Sequence, residues 1–213
     1  MQRETGESMS DEASLESLKR AKTTYPIEDI MLRRWSPRAF ASRAVSDADL
    51  SSIFEAASWA ASSYNEQPWR FVVGRQGDPT YAKTLGCLIE FNQLWAGRAP
   101  VLLLSIAKNV FAASGQPNTS AMHDLGAATA HISLQATALG LHTHSMAGFD
   151  KDKARSSFAI PMDYDIGIVT ALGYLGDPQD LPEKMRGPEL AARGRKELAD
   201  FVITAWAEPW KTS

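Results

Sequence analysis

Ala61-Ser62-Ser63-Tyr64-Asn65-Glu66-Gln67-Pro68-Trp69-Arg70-Phe71 is the stretch on which the reading of this chain turns. Hydroxyls and carboxamides crowd a short loop that then enters a β-rich run, Trp69–Val73. Such groups donate and accept hydrogen bonds without charge, which suits the edge of a heteroaromatic ring. The same composition fits a polar turn closing a helix, and the residues alone leave both readings open. Just upstream, Val45-Ser46-Asp47-Ala48-Asp49-Leu50 has the form of a helix start. Ser46 caps, Asp49 answers at the third position, and Val45 staples onto Leu50. Leu50, Ile53, Phe54, Ala57 and Ala61 then mark one apolar face, which predicts a helix over 47–61.

Outward from that loop, helices and strands intermix without regular βαβ alternation. Val101–Ala107 is a near-continuous apolar run after Pro100, as expected of a strand covered on both faces. Thr80–Leu88 reads as a helix, and Ala121–Leu139 as the longest helix, ended by Gly140. Eleven of the twenty residues from Ala121 to Gly140 are Ala, Gly, Ser or Thr, so a neighbouring helix can approach closely. His142–Met146 and Ile166–Tyr174 read as strands, Asp150–Ser157 as a short helix, and Phe201–Trp206 as a last β-rich segment. Towards the N-terminus, residues 1–10 are expected to fray. A short helix is expected over Asp11–Lys22, with Leu15 and Leu18 three apart, and a second one opened by Pro26. The pattern is α+β with a mixed central sheet.

Composition narrows the function. At 213 residues, 44% of them hydrophobic and 22% charged, the chain has room for one globular domain with a sizeable core. With 22 basic against 25 acidic residues, the net charge of −3 argues against nucleic acid and against a membrane surface. No apolar run approaches the length of a membrane span, and the acidic first 17 residues lack the apolar core of a secretory signal. A cytoplasmic protein is the expectation. The single Cys87, on an expected helix, reads as a small buried hydrophobe.

Chemistry-bearing residues fall in three places. Arg33-Arg34-Trp35-Ser36-Pro37-Arg38, with Arg43 close behind, sets four arginines within eleven residues and no acid. Guanidinium forks and a serine hydroxyl suit a bound phosphate. A solvated basic loop or an import-like patch fits the same residues. The Ser62–Gln67 loop is the second place. The third is Gly140–Asp150, where a strand ends at the small-residue turn Ala147-Gly148 and backbone N–H groups can face a ligand. His142 and His144 alternate on one strand face, but two ligands make half a metal site and no Cys/His set completes it. His123 and His131, about two turns apart on the long helix, read as packing or surface residues. No Gly-x-Ser-x-Gly elbow, dinucleotide fingerprint or P-loop is present, so any chemistry must be carried by a cofactor.

Three stretches together resemble the nitroreductase family of FMN-dependent oxidoreductases. Arg34-Trp35-Ser36-Pro37-Arg38-Ala39-Phe40 matches the family form Arg-x-Ser-x-Arg/Lys-x-Phe. Ala61–Phe71 matches Pro-Ser-Ser-x-Asn-x-Gln-Pro-Trp-x-Phe. The Ala-rich helix ending at Gly140, then Ala147-Gly148-Phe149 and Ile168–Gly176, follow in family order, so the likeness runs from about Ile27 to Arg195.

That resemblance implies a mainly antiparallel sheet flanked by helices in an intertwined homodimer, with FMN at the subunit interface. It implies a polar N-terminal extension over 1–24 and a single FMN-binding domain over 25–213. Arg34, Trp35, Ser36 and Arg38, with Arg193 and Arg195, fall where relatives hold the phosphate and ribityl chain. Ser62, Ser63, Asn65 and Gln67 fall in the loop that lies against the flavin ring, typically from the partner subunit. Met146, Ala147 and Gly148 fall at the turn approaching flavin N5, and Asn92 near the pyrimidine edge. Tyr64 and Phe111 are implied for the acceptor pocket, Phe111 within a variable lid at Val110–Asn118. The implied activity is ping-pong: NAD(P)H reduces the flavin, and a nitroaromatic, quinone or similar small-molecule acceptor reoxidises it. Relatives on this scaffold also dehalogenate, and a flavin-binding protein with little turnover fits if Trp35 and Trp95 block the nicotinamide site. Three positions depart from the pattern: Ala61 replaces the proline that opens the Ser-Ser loop, Trp35 stands where many relatives carry Arg or His, and Trp95 stands near a position basic in some.

Overall fold

Every residue of Val101–Ala107 is buried, and the rest of the chain is arranged around that strand. In a computed structural model that describes residues 15–210, β2 (Val101–Lys108) pairs with β1 (Trp69–Arg75) on one side and β4 (Tyr164–Gly173) on the other. Beyond β4 lies β3 (His142–Met146), giving the order β1-β2-β4-β3. All three ladders are antiparallel. Side chains alternate across β2 as strand geometry requires. Val101, Leu103 and Ala107 join one apolar cluster, while Leu102, Leu104 and Ile106 join the other.

Helices α2 (Asp47–Ser58) and α5 (Ala121–Ala138) cover the first face, their small side chains at Ala57, Ala121, Ala128 and Ala136 packed without exposure. Across it, α3 (Pro79–Cys87), α4 (Glu90–Ala96), α6 (Lys151–Phe158) and α7 (Glu183–Leu190) bring Tyr81, Trp95, Ala154 and Met185 to the second face. The register shifts between Leu104 and Ile106. There the Ser105 hydroxyl accepts from the Ile168 N–H and donates to the Ile168 carbonyl, replacing the lost ladder bonds. A Cβ at Gly167 would lie 2.5 Å from that hydroxyl, so only glycine fits opposite the irregularity.

Helix ends follow the sequence signals. Ser46 accepts from the Asp49 N–H as N-cap of α2, and its hydroxyl also donates to the Asp49 carboxylate. Gly140, at φ +74°, ends α5 in a Schellman turn: its N–H bonds to Thr137, and the Leu141 N–H to Ala136. Four expectations are corrected. The helix expected over 47–61 stops at Ser58. Pro26 opens nothing: α1 is the single turn Asp29–Arg33 behind Glu28, and Ile27 and Met31 are exposed. Phe201–Trp206 forms only a small exposed hairpin, β5 (Ile203–Ala205) against β6 (Glu208–Pro209). Residues 15–19 are helical and 20–22 are not, so the expected helix to Lys22 stops short; its start and the frayed residues, up to 14, lie outside the described residues.

The stretch Arg34–Phe40 is fixed to the sheet by backbone bonds beyond the end of β4. Phe40 bridges to Leu175, the Ala41 N–H bonds to Tyr174, and the Gly176 N–H to Ala39. A Cβ at Gly176 would meet the Phe40 carbonyl carbon at 2.5 Å and the Ala41 nitrogen at 2.7 Å, all backbone atoms that cannot step aside. Gly176→Ala is therefore expected to destabilise the protein by about 1–3 kcal/mol and lower Tm by several degrees in a thermal melt. An unchanged Tm would show that this junction is not a tight one.

Candidate functional site

Five cationic side chains converge on a cavity of about 280 Å³ at the Phe40 end of the sheet: Lys19, Arg34, Arg38, Arg193 and Arg195. Ser36 lines it too, its hydroxyl accepting from Arg34 at 3.3 Å. One carboxylate, Glu189, is buried in the wall, and its Oε1 accepts the backbone N–H groups of Arg38 at 2.7 Å and Ala39 at 3.0 Å. Among the described residues, the cavity is therefore lined by donors with their positive charge largely uncompensated. Burial, and then the charge of Arg195, hold the Arg34 guanidinium below its usual range. Arg193 is lowered by burial and by both Arg34 and Arg195. The buried Arg38 Nε has no partner among the described residues. Mutual repulsion and an orphaned donor are features that suit the binding of an anion.

Not every arginine of the sequence cluster contributes. Arg33 is spent on Asp29 at 2.7 Å and on the Thr137 carbonyl at 3.2 Å, and Arg43 lies over the Tyr174 ring. Trp35 lines the cavity, but its ring is in the interior with Leu15 and Leu175 and meets His142 edge-on at 5.9 Å. Trp95 is 1% exposed between Phe40 and His144. Both tryptophan side chains are thus buried in this chain.

From the cradle, β3 leads along the sheet edge to the Ala147-Gly148 turn. His144 Nδ1 donates to the Pro37 carbonyl at 2.9 Å, tying β3 to the arginine stretch. Met146 is buried in the second-face core, so the turn offers its backbone rather than that side chain. The Gly148 carbonyl accepts from Asn92 Nδ2 at 3.0 Å and from the Ile89 N–H at 3.1 Å, while its own N–H makes no backbone hydrogen bond among the described residues. A Cβ at Gly148 would sit 2.8 Å from that Asn92 amide. Asn92 thus belongs at this turn as a brace. Sequence reading missed α4, which carries Asn92, and missed Lys19.

Ser62–Gln67 lies elsewhere. Tyr64, Asn65 and Gln67 all have positive φ, at 52°, 56° and 50°, a strained run with no glycine. It is held by the Ser62 hydroxyl accepting from the Gln67 N–H, by the buried Asp124 accepting from the Ser63 N–H, and by Glu66 accepting from the Ala112 N–H. Tyr64 is 92% exposed and meets Phe111 edge-on at 5.8 Å, so the loop and the lid expected over 110–118 form one unit. The Lys108 N–H bonds to Pro68, which places this unit at the far end of β2 from the cradle. Eight residues of strand, roughly 23 Å, separate the two ends. Within one chain β3 runs from the cradle end of the sheet to the Gly148 turn, whereas the Ser62–Gln67 loop, Tyr64 and Phe111 lie by the far end of β2.

The nitroreductase family model matches residues 31–174, which spans the arginine stretch, the strained loop and the Gly148 turn. The chain belongs to the nitroreductase family. A 15.4 kDa protein of Mycolicibacterium smegmatis is 32% identical over 151 residues, covering 66% of this chain and 99% of that one. An NADH dehydrogenase of Thermus thermophilus is 29% identical over 191 residues, covering 72% of this chain and 90% of that one. A crystal structure of an oxidoreductase containing FMN superposes with a TM-score of 0.81 at 34% identity, over 86% of this chain and 93% of that one. The α+β fold with its antiparallel sheet is the nitroreductase fold.

Two histidines beside the site set a pH dependence. Burial pushes His142 down to about 4, reinforced by the charges of Arg33 and Arg34. Burial pushes His144 to about 4 as well, against the opposing bond to Pro37. Unfolded, both rings titrate near 6.5. The unfolded chain then binds more protons between those limits, so stability is full above pH 6.5 and is lost as pH falls towards 4. Asp29 and Asp78, both lowered from 3.8, act only below that window. Urea unfolding at pH 7 and pH 5 should show a lower midpoint at pH 5, and equal midpoints would contradict the burial of these rings.

Proposed function

We propose that this nitroreductase is an FMN-dependent oxidoreductase that uses NAD(P)H to reduce nitroaromatic, quinone or similar conjugated acceptors. The observation that carries the reading is the cradle: five cations, one carboxylate already engaged by backbone, and an orphaned Arg38 Nε. A phosphate monoester is the anion such a fork-rich, partly buried site accommodates best. The donor set and the small-residue turn at Gly148 both fit FMN. The solved relative described as an oxidoreductase containing FMN supports the cofactor, and the Thermus relative named NADH dehydrogenase supports the reductant.

Arg34, Ser36, Arg38, Arg193 and Arg195 would hold the phosphate end. The Gly148 N–H, with its carbonyl braced by Asn92, offers a fixed donor to a flavin ring. The chemistry that FMN supplies when bound is reversible redox exchange, with NAD(P)H and then with the acceptor in ping-pong order. Tyr64 and Phe111 present an aromatic wall suited to flat acceptors. No side chain of the cradle or the turn is placed as an acid or base.

One chain does not complete this site. The strained loop and the cradle lie toward opposite ends of the sheet, and a second copy can bring its Ser62, Ser63, Asn65 and Gln67 against the ring. A homodimer with FMN between the subunits follows as part of the proposal.

The purified protein is expected to show flavin absorbance that bleaches within seconds of anaerobic NADH or NADPH addition and returns with a quinone. Bound flavin that neither nicotinamide bleaches would overturn the oxidoreductase reading. A colourless protein that FMN cannot load would overturn the cradle assignment itself.

A further inference from the structure

Lys19 is the one cation of the cradle that the likeness read from Ile27 to Arg195 does not include. It belongs to the helical turn at residues 15–19, and only 4% of it is exposed. A buried lysine with no ion-paired carboxylate among the described residues needs a reason. Its ammonium donates to the Ala191 carbonyl at 2.5 Å and lies 4.8 Å from the centre of the Trp35 ring, which fixes the head at the cavity wall. An ammonium carries three donors, and Ala191 takes one.

The backbone around it is clasped as well. Arg193 donates through one guanidinium nitrogen to the Lys19 carbonyl at 2.8 Å and to the Leu32 carbonyl at 3.3 Å, and the Ala21 N–H bonds to Leu32. Leu15 is buried against Trp35 and Leu175. Segment 15–21, the arginine stretch and segment 191–195 thus form three walls of one cavity. Charge opposes that arrangement. Burial lowers the Lys19 ammonium, Glu189 pulls it back up, and Arg193 and Arg38 lower it again. A lysine serving only to pack on Trp35 gains nothing from a place among guanidinium groups.

We propose that Lys19 is a phosphate-binding residue of the FMN site, and that the segment carrying it closes the cradle over the phosphate. The inference rests on the reading of the cradle as the FMN phosphate site, and the two can fail separately. A phosphate dianion supplies the negative charge that Glu189 alone does not, and it accepts the remaining ammonium donors. Flavin that lacks the phosphate gives Lys19 nothing to bind.

The test compares FMN with riboflavin, which differs only at that end. Apoprotein is titrated with each by flavin fluorescence, using wild type, Lys19→Met, which keeps an unbranched stem against Trp35, and Lys19→Gln as a second variant. Thermal melts confirm that each is folded. The expected result is that both variants bind FMN on the order of tenfold more weakly, as loss of a charge-assisted hydrogen bond implies, with riboflavin affinity within about twofold of wild type. Equal losses for both flavins, or no loss for FMN, would overturn the role of Lys19 and leave it a packing residue. Wild type that prefers FMN over riboflavin in that same experiment keeps the cradle reading intact; wild type with no preference sinks the reading and the inference together.

Discussion

Like charge held at close quarters is the constraint around which this structure is organised. Lys19, Arg34, Arg38, Arg193 and Arg195 approach one cavity from three separated parts of the chain. Without an anion their repulsion works against folding, so the scaffold must fix them by other means. Glu189 does so from within α7, its carboxylate holding the backbone of Arg38 and Ala39 while contributing a negative charge to the wall. Beneath, the Phe40–Leu175 bridge and the close approach of Gly176 to Phe40 attach the arginine stretch to β4, the strand beside the fully buried β2. Other guanidiniums nearby are diverted: Arg33 to Asp29 and Thr137, Arg43 to Tyr174. The result is a concentration of donors on a chain whose net charge is −3, local where a nucleic-acid surface would be broad.

The second site element is governed by strain. Three non-glycine residues at positive φ each cost on the order of 1 kcal/mol or more, and such a run persists only where the surroundings over-determine it. Ser62, Asp124 and Glu66 supply the restraints, two from the loop itself and one from the first turn of α5. The geometry leaves Tyr64 almost wholly in solvent on a single chain. An exposed aromatic on a strained, well-braced loop is a surface prepared for something outside the chain. Its place at the other end of β2 fits the proposal that the binding site closes when two copies meet.

Much of this was legible in the sequence, and what was not has identifiable physical causes. Ser46 with Asp49, and Gly140 after the small-residue helix, are local signals whose hydrogen bonds close within a few residues, and both behaved as read. The apolar run at 101–107 could only be a doubly covered strand. The α4 helix escaped because Phe91 and Leu94 are exposed and its periodicity is weak over seven residues. Helix α7 escaped because Pro188 lies inside it. Pro26 carries a helix-start signal, yet Ile27 and Met31 have no core to face on this chain. At the site, the motif residues were readable as types in order. Lys19 was not, since nothing in its neighbourhood connects it to arginines 15 to 176 residues away; only the folded cavity does. The burial of Trp95 between Phe40 and His144 likewise depends on tertiary contacts.

The central claim is that the cradle of one chain and the strained loop of another build each site. Subunit complementation tests it most directly. Two differently tagged forms, Arg38→Ala and Asn65→Ala, are co-expressed and the mixed dimer is isolated and assayed for bound flavin. If each site draws on both chains, one site of the mixed dimer is wild type and the other carries both changes, so about half the wild-type flavin content should return, well above either parent. If cradle and loop served the same site within one chain, each site would carry one defect, and a mixed dimer no better than its parents would contradict the account.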